Sequence, residues 1–450
     1  MADKKVKHSP IGSLQPKIDD ILEWNNLDFT PATKEEKEDF IQQRKSVSYW
    51  RDAWRRLRKN TVAMVAMCVL IVIVLFGFLG PVLVPYGYEE FNKGAENLHP
   101  WHYTLEDQAR VNAVIEERTG SAALDPEEAV AQAIAEAEAK GETLSAVQQA
   151  KIRANAKAAA EKAATEGSEG LSTKEEDVRA ELGVKAKLGG YSNNELQRIA
   201  NGEKVFPHLF GTDKFGRDIM VRVMIGTRVS MIVGVCAALL VLVIGALYGS
   251  ISGYAGGMVD TVMQRIVEVI YSIPEVLVIL LLAAMLSPVI QEYSSSGGLL
   301  SGLTTVLGAN LISMFIAFGI LYWVGMSRII RGQVLQIKQQ EYVTAARALG
   351  ASSGRIIRRH LLPNCIGQIV VTTCLQIPSA IFLESFLSFL GVGVNAPMTS
   401  LGSMASEALQ GLYSYPYRLL FPAIILSVMI LSFNLFGDGL RDALDPRLKK

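Results

Sequence analysis

Six long apolar segments, separated by charged stretches, constrain the fold of this chain more than any other feature. A helix needs about 20 mostly apolar residues to cross a bilayer. The charged residues, 20% of the 450, gather between these segments. We therefore predict an all-α membrane protein with six transmembrane helices. Their predicted positions are 61–84, 229–252, 266–286, 306–326, 366–390 and 419–436.

Basic residues predict which ends of the spans face the cytoplasm. They cluster before the first span, between the fourth and fifth spans and after the sixth, whereas 287–302 has no Lys or Arg. With an even number of spans, both termini then lie in the cytoplasm, as expected for a multi-pass protein of the cytoplasmic membrane. The basic residues from Lys214 to Arg228 partly contradict this assignment, because they precede the second span on its outer side. Asp213 and Asp218 offset some of their charge.

A polar leader, residues 1–60, precedes the first span. The first apolar run is therefore not a cleavable signal peptide, and we expect it to remain in the membrane as an anchor. Tyr49, Trp50 and Trp54 stand among basic residues at the end of the leader. This mixture is typical of a helix that lies on the inner membrane surface.

The segment between the first and second spans is long, and we predict an extracytoplasmic insertion at 85–205. Its middle, 125–187, is rich in Ala, Glu and Lys, which are good helix formers. Asp125 and Pro126 resemble a helix start, and Gly141 and the stretch 167–170 would end helices. This pattern predicts helical hairpins outside the membrane. A solvated spacer without a core of its own is the alternative.

The segment between the fourth and fifth spans carries the clearest functional pattern. Glu341 begins a run in which Ala345 and Ala346 form a smooth helical surface that another protein can approach closely. Gly350 can adopt the left-handed conformation that ends a helix. A second, basic helix is predicted at 353–362, closed by Pro363. We interpret the segment as a docking element at the cytoplasmic face, with a solvated loop as the alternative.

This docking element resembles the signature of ABC importer permeases. Five residues match at the spacing of that family: Ala345, Ala346, Gly350, Leu362 and Pro363. Thr344 stands where the family has Glu, and His360 where it has Ile, so Glu341 is our candidate for the acid. The resemblance implies a coupling helix within 341–363 that inserts into a cleft of an ATPase subunit.

Three further segments narrow the resemblance. The Gly-Thr-Asp segment near 210–218 and the stretches 384–393 and 434–446 are similar to dipeptide, oligopeptide and nickel permeases, and to their C-type subunit in particular. The similarity covers 48 to the first span and 206 to the end, but not the insertion. It implies the type I ABC importer permease fold, with 206–228 before the second span, a transmembrane domain at 226–442 and a cytoplasmic tail at 443–450.

The resemblance also implies partners and cargo. The expected partners are a second permease subunit, two ATPase subunits and an extracytoplasmic substrate-binding protein, with membrane lipid around the spans. ATP would be bound by the partner subunits, so no cofactor is expected in this chain. Peptides are the expected substrate, while nickel or another small solute stays open.

The Gly-Thr-Asp segment has a physical interpretation of its own. Gly211 and Gly216 permit tight turns. Asp213 and Asp218 could pair with Arg217 or Arg222 and fix those turns. A structural clamp is favoured over a ligand site.

Small and acidic residues stand out within the spans. Ionisable groups are costly inside a bilayer and normally face the bundle interior or an aqueous path. Glu268 and Glu275 are seven residues apart, hence on one helix face, and Pro274 should kink that helix. With Glu384 in the fifth span, they are candidates to line the translocation path; buried hydrogen bonds between helices are the alternative. Close helix packing is predicted at three glycines spaced by four: Gly245, Gly249 and Gly253.

Several catalytic patterns do not occur in the sequence. It contains no Gly-x-x-x-x-Gly-Lys-Ser/Thr, His-Glu-x-x-His or Gly-x-Ser-x-Gly motif, and its four cysteines form no Cys-x-x-Cys pair. The net charge of zero gives no indication of nucleic-acid binding. We therefore predict no catalytic residues and no metal site, with energy supplied by separate ATPases. The alternatives are an ion-coupled secondary transporter, an intramembrane enzyme and a membrane anchor for the outer insertion.

Overall fold

The computed structural model describes residues 48–120, 174–297, 301–396 and 398–444. Two units are distinguished, Met1–Asp52 and Ala53–Lys450. Several sequence predictions lie outside the described residues: the leader before 48, the helix start at Asp125 and Pro126, the breaks at Gly141 and 167–170, and the tail beyond 444.

Within the described residues, short elements precede and follow the first span. The helices are α1 (Tyr49–Leu57), α2 (Thr61–Phe78), α3 (Gly80–Leu83), α4 (Leu105–Gly120), α5 (Glu175–Glu181) and α6 (Asn193–Ala200). Strands β1 (Trp101–His102) and β2 (Lys187–Leu188) pair antiparallel, with Trp101 opposite Leu188. We call the described residues between the first and second spans, 85–120 and 174–218, the interspan segment.

The remaining described chain is helical. Its α-helices are α7 (Ile219–Ala255), α8 (Gly257–Tyr271), α9 (Glu275–Ser295), α10 (Ser301–Leu307), α11 (Ala309–Leu321), α12 (Val324–Ile337), α13 (Glu341–Ala348), α14 (Ser353–Ile356), α15 (Ile366–Phe389), α16 (Leu401–Ala408) and α17 (Tyr417–Leu444). Six stretches of the described residues are long and apolar enough to cross a membrane, which confirms the predicted number of spans. They are α2, α7, α9, α11 with α12, the run from α14 through α15, and α17.

The second span begins earlier than the hydropathy predicted. Helix α7 starts at Ile219 because the Asp218 side chain caps it, accepting a hydrogen bond from the Val221 N–H at 2.8 Å. It continues for 37 residues to Ala255. At 1.5 Å per residue this helix is about 55 Å long, so it extends beyond the hydrocarbon core of a bilayer.

The third span was wrongly placed at its N-terminal end. Helix α8 ends at Tyr271, and α9 begins at Glu275 with Pro274 at its N-cap. Proline has no N–H to donate, and it disfavours helical geometry in the residue before it, so the predicted kink is a complete break. The span is α9, Glu275–Ser295. Glu268 and Glu275 lie on different helices, and the prediction that they share a helix face is wrong.

Helix α7 is the central packing element. It packs against α12, α15 and α2. At the predicted glycine stripe its backbone meets that of α12, since a Cβ at Gly249 would lie 2.3 Å from the carbonyl oxygen of Ser327. A Cβ at Gly245 would lie 2.7 Å from Cβ of Met326, and one at Gly253 would lie 3.0 Å from the carbonyl oxygen of Arg331. Small residues thus allow the close approach of two membrane helices.

The buried core continues from the spans into residues 341–363, the predicted docking element, which we call the coupling segment. One cluster joins Met326, Ile330 and Val334 of α12 to Val343 of α13 and Ile356 of α14. Because α12 leads into α13 through only a short turn, the two helices are joined both by the chain and by this apolar cluster.

Candidate functional site

Helix α13, the predicted coupling helix, ends in a well-formed glycine cap. Gly350 has φ of +80°, the left-handed conformation predicted from the sequence. Its N–H donates to the carbonyl of Arg347 at 3.0 Å, and the N–H of Ala351 donates to the carbonyl of Ala346 at 3.1 Å. This pair of bonds is the Schellman arrangement, which satisfies the last carbonyls and stops the helix.

Of the residues of helix α13, one is buried, Ala346 is half-buried and the others are exposed. Val343 is buried in the cluster with α12, whereas Glu341, Thr344 and Ala345 are exposed. Glu341 lies in the first turn, where a negatively charged side chain interacts favourably with the helix dipole and stabilises the helix. Leu349, directly after the helix, is 88% exposed, and the sequence analysis did not single it out. The helix therefore presents a small-residue surface with an apolar tip.

The second half of the coupling segment differs from the prediction. A helical turn, α14, is followed by a π-helical turn (Ile357–Leu361) and a 3-10 turn (Leu362–Cys365) that run directly into α15. Pro363 therefore does not close a helix. It lies in the first turn of the 3-10 element, where its missing N–H costs no hydrogen bond. Leu362 packs against the cluster that holds Val343.

The three candidate acids of the translocation path lie in separate environments. Glu268 is exposed and pairs with Arg265 at 2.7 Å within α8. Glu275, at the start of α9, borders a cavity of about 330 Å³ whose other lining residues are Ile270, Tyr271, Ile273, Val278, Leu321 and Val324. The carboxylate of Glu275 is the acidic group among these lining residues. Its role in the translocation path stays a prediction.

Glu384 is fully buried among hydroxyl groups. Its carboxylate accepts hydrogen bonds from Ser230 at 2.8 Å, Ser388 at 2.7 Å and Ser385 at 3.2 Å. Ser230 belongs to α7 and the other two to α15, so the acid joins two spans. This is the arrangement of a buried hydrogen-bond node between helices.

Asp213 is the centre of the clamp predicted for the Gly-Thr-Asp segment. Its carboxylate accepts hydrogen bonds from the N–H groups of Phe215 and Arg217, from Arg217 Nε at 2.6 Å and from Arg222 at 2.8 Å. Gly211 and Gly216 have φ of +75° and +74°, as the turns require. Arg222 also contacts both oxygens of Glu407, at 2.9 and 3.1 Å, which ties α7 to α16.

Asp218 does not pair with an arginine, so that part of the prediction is wrong. While one oxygen caps α7, the other accepts from Nδ1 of His208 at 2.7 Å. The opposite ring nitrogen of His208, Nε2, lies 3.3 Å from a carboxylate oxygen of Glu195 in α6. The Tyr86 ring stacks on the His208 ring, with the two ring centres 4.3 Å apart. Burial lowers the pKa of His208, but the hydrogen bonds to Asp218 and Glu195 outweigh burial and raise it to about 9.

His208, Glu195 and Glu407 were missed by the sequence analysis. A local signal existed for Glu195, because Ser192 and Glu195 form a capping box that marks the start of α6. Nothing local links Glu195 to His208, since the contact joins separate elements of the interspan segment.

Within 48–120, 174–297, 301–396 and 398–444, no group of three or more His, Cys, Asp or Glu side chains could hold a metal ion.

Two families match the chain. Residues 245–450 match the family described as "Binding-protein-dependent transport system inner membrane component", and residues 48–100 match "N-terminal TM domain of oligopeptide transport permease C". The first match includes α13 and all spans from α9 onward, and the second includes α2.

Curated relatives agree with the family matches. The oligopeptide transport system permease protein OppC of Bacillus subtilis is 47% identical over 243 residues, 54% of this chain and 73% of the relative. The dipeptide transport system permease protein DppC of the same organism is 44% identical over 275 residues, 60% of this chain and 79% of the relative. OppC of Escherichia coli K12 is 45% identical over 240 residues, 53% of this chain and 72% of the relative.

Proposed function

The chain belongs to the family of binding-protein-dependent ABC transport permeases, and on that premise we propose that it forms one half of a peptide-conducting path through the cytoplasmic membrane. A second permease would form the other half, and two ATPase subunits would drive transport. The proposed cargo is oligopeptides or dipeptides, because the relatives named above are oligopeptide and dipeptide permeases.

The single observation that carries this proposal is the form of the coupling segment. Helix α13 is fixed to α12 through buried Val343, stopped by Gly350 and exposed along Thr344 and Ala345. Exposed Arg355, Arg358 and Arg359 follow it. A small-residue helix held on a rigid anchor beside a basic surface is suited to docking in a cleft of another protein.

The proposed orientation follows from the position of this element. If α13 meets ATPases, its side of the membrane is the cytoplasm, and the six spans place both termini there. The interspan segment is then extracytoplasmic and accessible to a substrate-binding protein. Because ATP would be bound by the partner subunits, we propose no catalytic residue in this chain.

The proposed mechanism is alternating access. ATP binding would draw the two ATPases together, and each coupling helix would follow its ATPase as a rigid attachment. Nucleotide shifts the balance between inward-open and outward-open states only if the docking contacts differ between them. Glu275, beside its cavity, is the proposed candidate to meet the peptide amine. The separate environments of Glu268, Glu275 and Glu384 do not favour a shared proton path, so ion-coupled transport is not proposed.

Co-purification from the native membrane tests this function. The tagged chain, solubilised in mild detergent, is expected to retain a second permease and ATPase subunits. Gly350→Pro should lose the ATPases, since proline holds φ near −65° and Gly350 needs +80°. Gly297→Pro is the matched control, because Gly297 has φ of +79° and equally open surroundings but lies after α9, away from α13.

Two results would contradict the proposal. Recovery of the wild-type chain without ATPases at every detergent strength would exclude coupling to such subunits. Equal ATPase recovery with Gly350→Pro and wild type would exclude docking through this cap.

A further inference from the structure

The turn between α7 and α8 is built around an ion pair with α12. Gly256 and Gly257, both with positive φ, redirect the chain where α7 ends. Asp260 lies in the first turn of α8. Arg331 of α12 holds it as a fork, with Nε 2.7 Å from one carboxylate oxygen and a terminal nitrogen 2.6 Å from the other. A bidentate pair of this kind fixes orientation as well as distance.

The pair is supported by α7. The Ser252 hydroxyl donates to the Asp260 carboxylate, and Gln264 Nε2 donates to the Ser252 oxygen at 3.0 Å. The Arg331 side chain is 29% exposed and that of Asp260 is 15% exposed, so water screens the pair less than it screens a surface ion pair. Asp260 therefore joins the end of α7, the start of α8 and the middle of α12.

The coupling helix reaches the same corner of the molecule. Lys338, which follows α12, donates to the carbonyls of Gly253 at 3.0 Å and Tyr254 at 3.2 Å, and so caps the end of α7. The Arg347 guanidinium of α13 lies 5.6 Å from the centre of the Tyr254 ring. A displacement of α13 would therefore act on α12 and on this corner, as well as on α14, whose Ile356 shares the apolar cluster with Val343.

Helix α8 is mostly exposed, so few contacts can transmit such a displacement to it. Within α8, every residue of which the structure describes, only Val267 is buried. Half-buried Ile270 packs against the apolar clusters of the spans, and the Tyr248 hydroxyl of α7 donates to the Met263 carbonyl at 2.7 Å. Arg328 of α12 lies 4.1 Å from the centre of the Tyr271 ring. The Asp260–Arg331 ion pair is the charged contact at the N-terminal end of α8.

We propose that the Asp260–Arg331 ion pair transmits movement of the coupling helix to α8, and through the break at Ser272–Pro274 to α9 and Glu275. Both are positioning residues, since neither lies at the docking surface. This inference rests on the proposed function, because it presumes that α13 is moved by an ATPase. It adds the route by which the movement reaches the cavity beside Glu275.

Uptake per ATP hydrolysed, measured in liposomes containing the full complex, tests the route. Asp260→Asn and Arg331→Gln should each lower that ratio by about fivefold or more, the range of ordinary coupling energies. Complex yield and thermal stability should stay close to wild type. Asp260→Glu, which keeps the charge, should recover part of the ratio. The double variant should be no worse than the single ones, because residues that act as a pair are not additive.

Arg265→Gln is the matched control, since it removes the same charge from an exposed arginine of α8 whose ion-pair partner, Glu268, lies on the same helix. It should leave the ratio unchanged. Wild-type uptake per ATP in Asp260→Asn and Arg331→Gln would overturn the route while leaving the docking function intact. Loss of complex yield in step with loss of uptake would assign the pair to folding and overturn it too. Absence of ATPases from the wild-type complex is a separate result that contradicts the proposed function itself.

Discussion

His208 shows how one buried side chain holds the interspan segment to the start of α7. Its ring lies between Glu195 and Asp218 and is 1% exposed. An unpaired charge would be costly at this depth, but two carboxylates stabilise the protonated ring. Burial raises the pKa of Glu195, but the hydrogen bonds from His208 and Ser192 and the charge of His208 together outweigh burial and lower it.

These shifts predict a pH dependence. The pKa of His208 rises from 6.5 to about 9 on folding. Its contribution to the stability of the folded segment is therefore complete below pH 6.5 and is lost as the pH rises through about 9. Glu195 has a lowered pKa, so its contribution is present above its ordinary value of 4.5 and is lost as the pH falls below it. We expect the interspan segment to be most stable between these limits. On the alkaline side it should lose up to about 3 kcal/mol, at about 1.4 kcal/mol per pKa unit.

Hydrogen exchange of α6 amides as a function of pH measures this effect. His208→Gln should lower protection at pH 6 and abolish the alkaline loss. His102→Gln serves as control, because His102 contacts the Gly189 carbonyl instead of a carboxylate. An alkaline loss of the same size in wild type and His208→Gln would show that another group titrates.

At the scale of one element, the exposed end of α13 allows a sharper test of docking than its alanines do. Leu349 is 88% exposed beside the Gly350 cap, which suits an apolar anchor in a partner pocket. Leu349→Asp should weaken ATPase binding by about 2 kcal/mol, the cost typical of losing such an anchor. Titration of the purified permease pair with ATPase subunits measures the change in Kd.

Leu188 offers the matched control for Leu349. It is 92% exposed but belongs to β2 in the interspan segment. Leu188→Asp makes the same chemical change and should leave ATPase affinity unaltered. Equal Kd values for Leu349→Asp and wild type would show that the tip of α13 is not in the interface.

The element scale also shows what the sequence could and could not predict. The length of the apolar segments alone predicted the number of spans, because the thickness of the bilayer sets a minimum length for every helix that crosses it. Hydropathy is continuous across Ser272–Pro274, so the break between α8 and α9 was missed. Pro363 was taken as a stop, although proline is equally suited to a first turn. The glycine stop at Gly350 was correct, since it depends only on local backbone geometry.

Contacts between distant segments were beyond sequence reasoning. The clamp at Asp213 was predicted because Arg217 and Arg222 follow it by only four and nine residues in the sequence. The pairs Glu195–His208, Arg222–Glu407 and Asp260–Arg331 each join separate elements, and no local spacing encodes them.

At the scale of the whole molecule, hydrogen bonds join the start of the interspan segment to its end, and we call the residues that form them, Asn97, Leu98, Thr212 and Asp213, its base. Thr212 exchanges hydrogen bonds with Leu98, at 2.8 and 3.0 Å, and the Asn97 N–H donates to the Asp213 carbonyl at 2.9 Å. Further along the segment, Arg118 of α4 pairs with Glu181 of α5 at 2.7 Å. In the sequence, residues 121–173 lie between these two helices. Their removal therefore need not disturb the base.

Two deletions separate the base from the remainder of the insertion. Replacing 121–173 with a flexible Gly/Ser linker should preserve complex yield and at least part of the uptake, because every contact of His208 and Thr212 described above remains. Deleting 91–205 should abolish the complex, since it removes Glu195, leaves His208 without one of its carboxylates and removes Leu98, a hydrogen-bond partner of Thr212. Both variants are assayed for subunit recovery and for uptake of a labelled peptide. Complete loss of uptake with normal subunit recovery in the first deletion would show that 121–173 itself acts in transport, and would favour a working role for the insertion over a passive one.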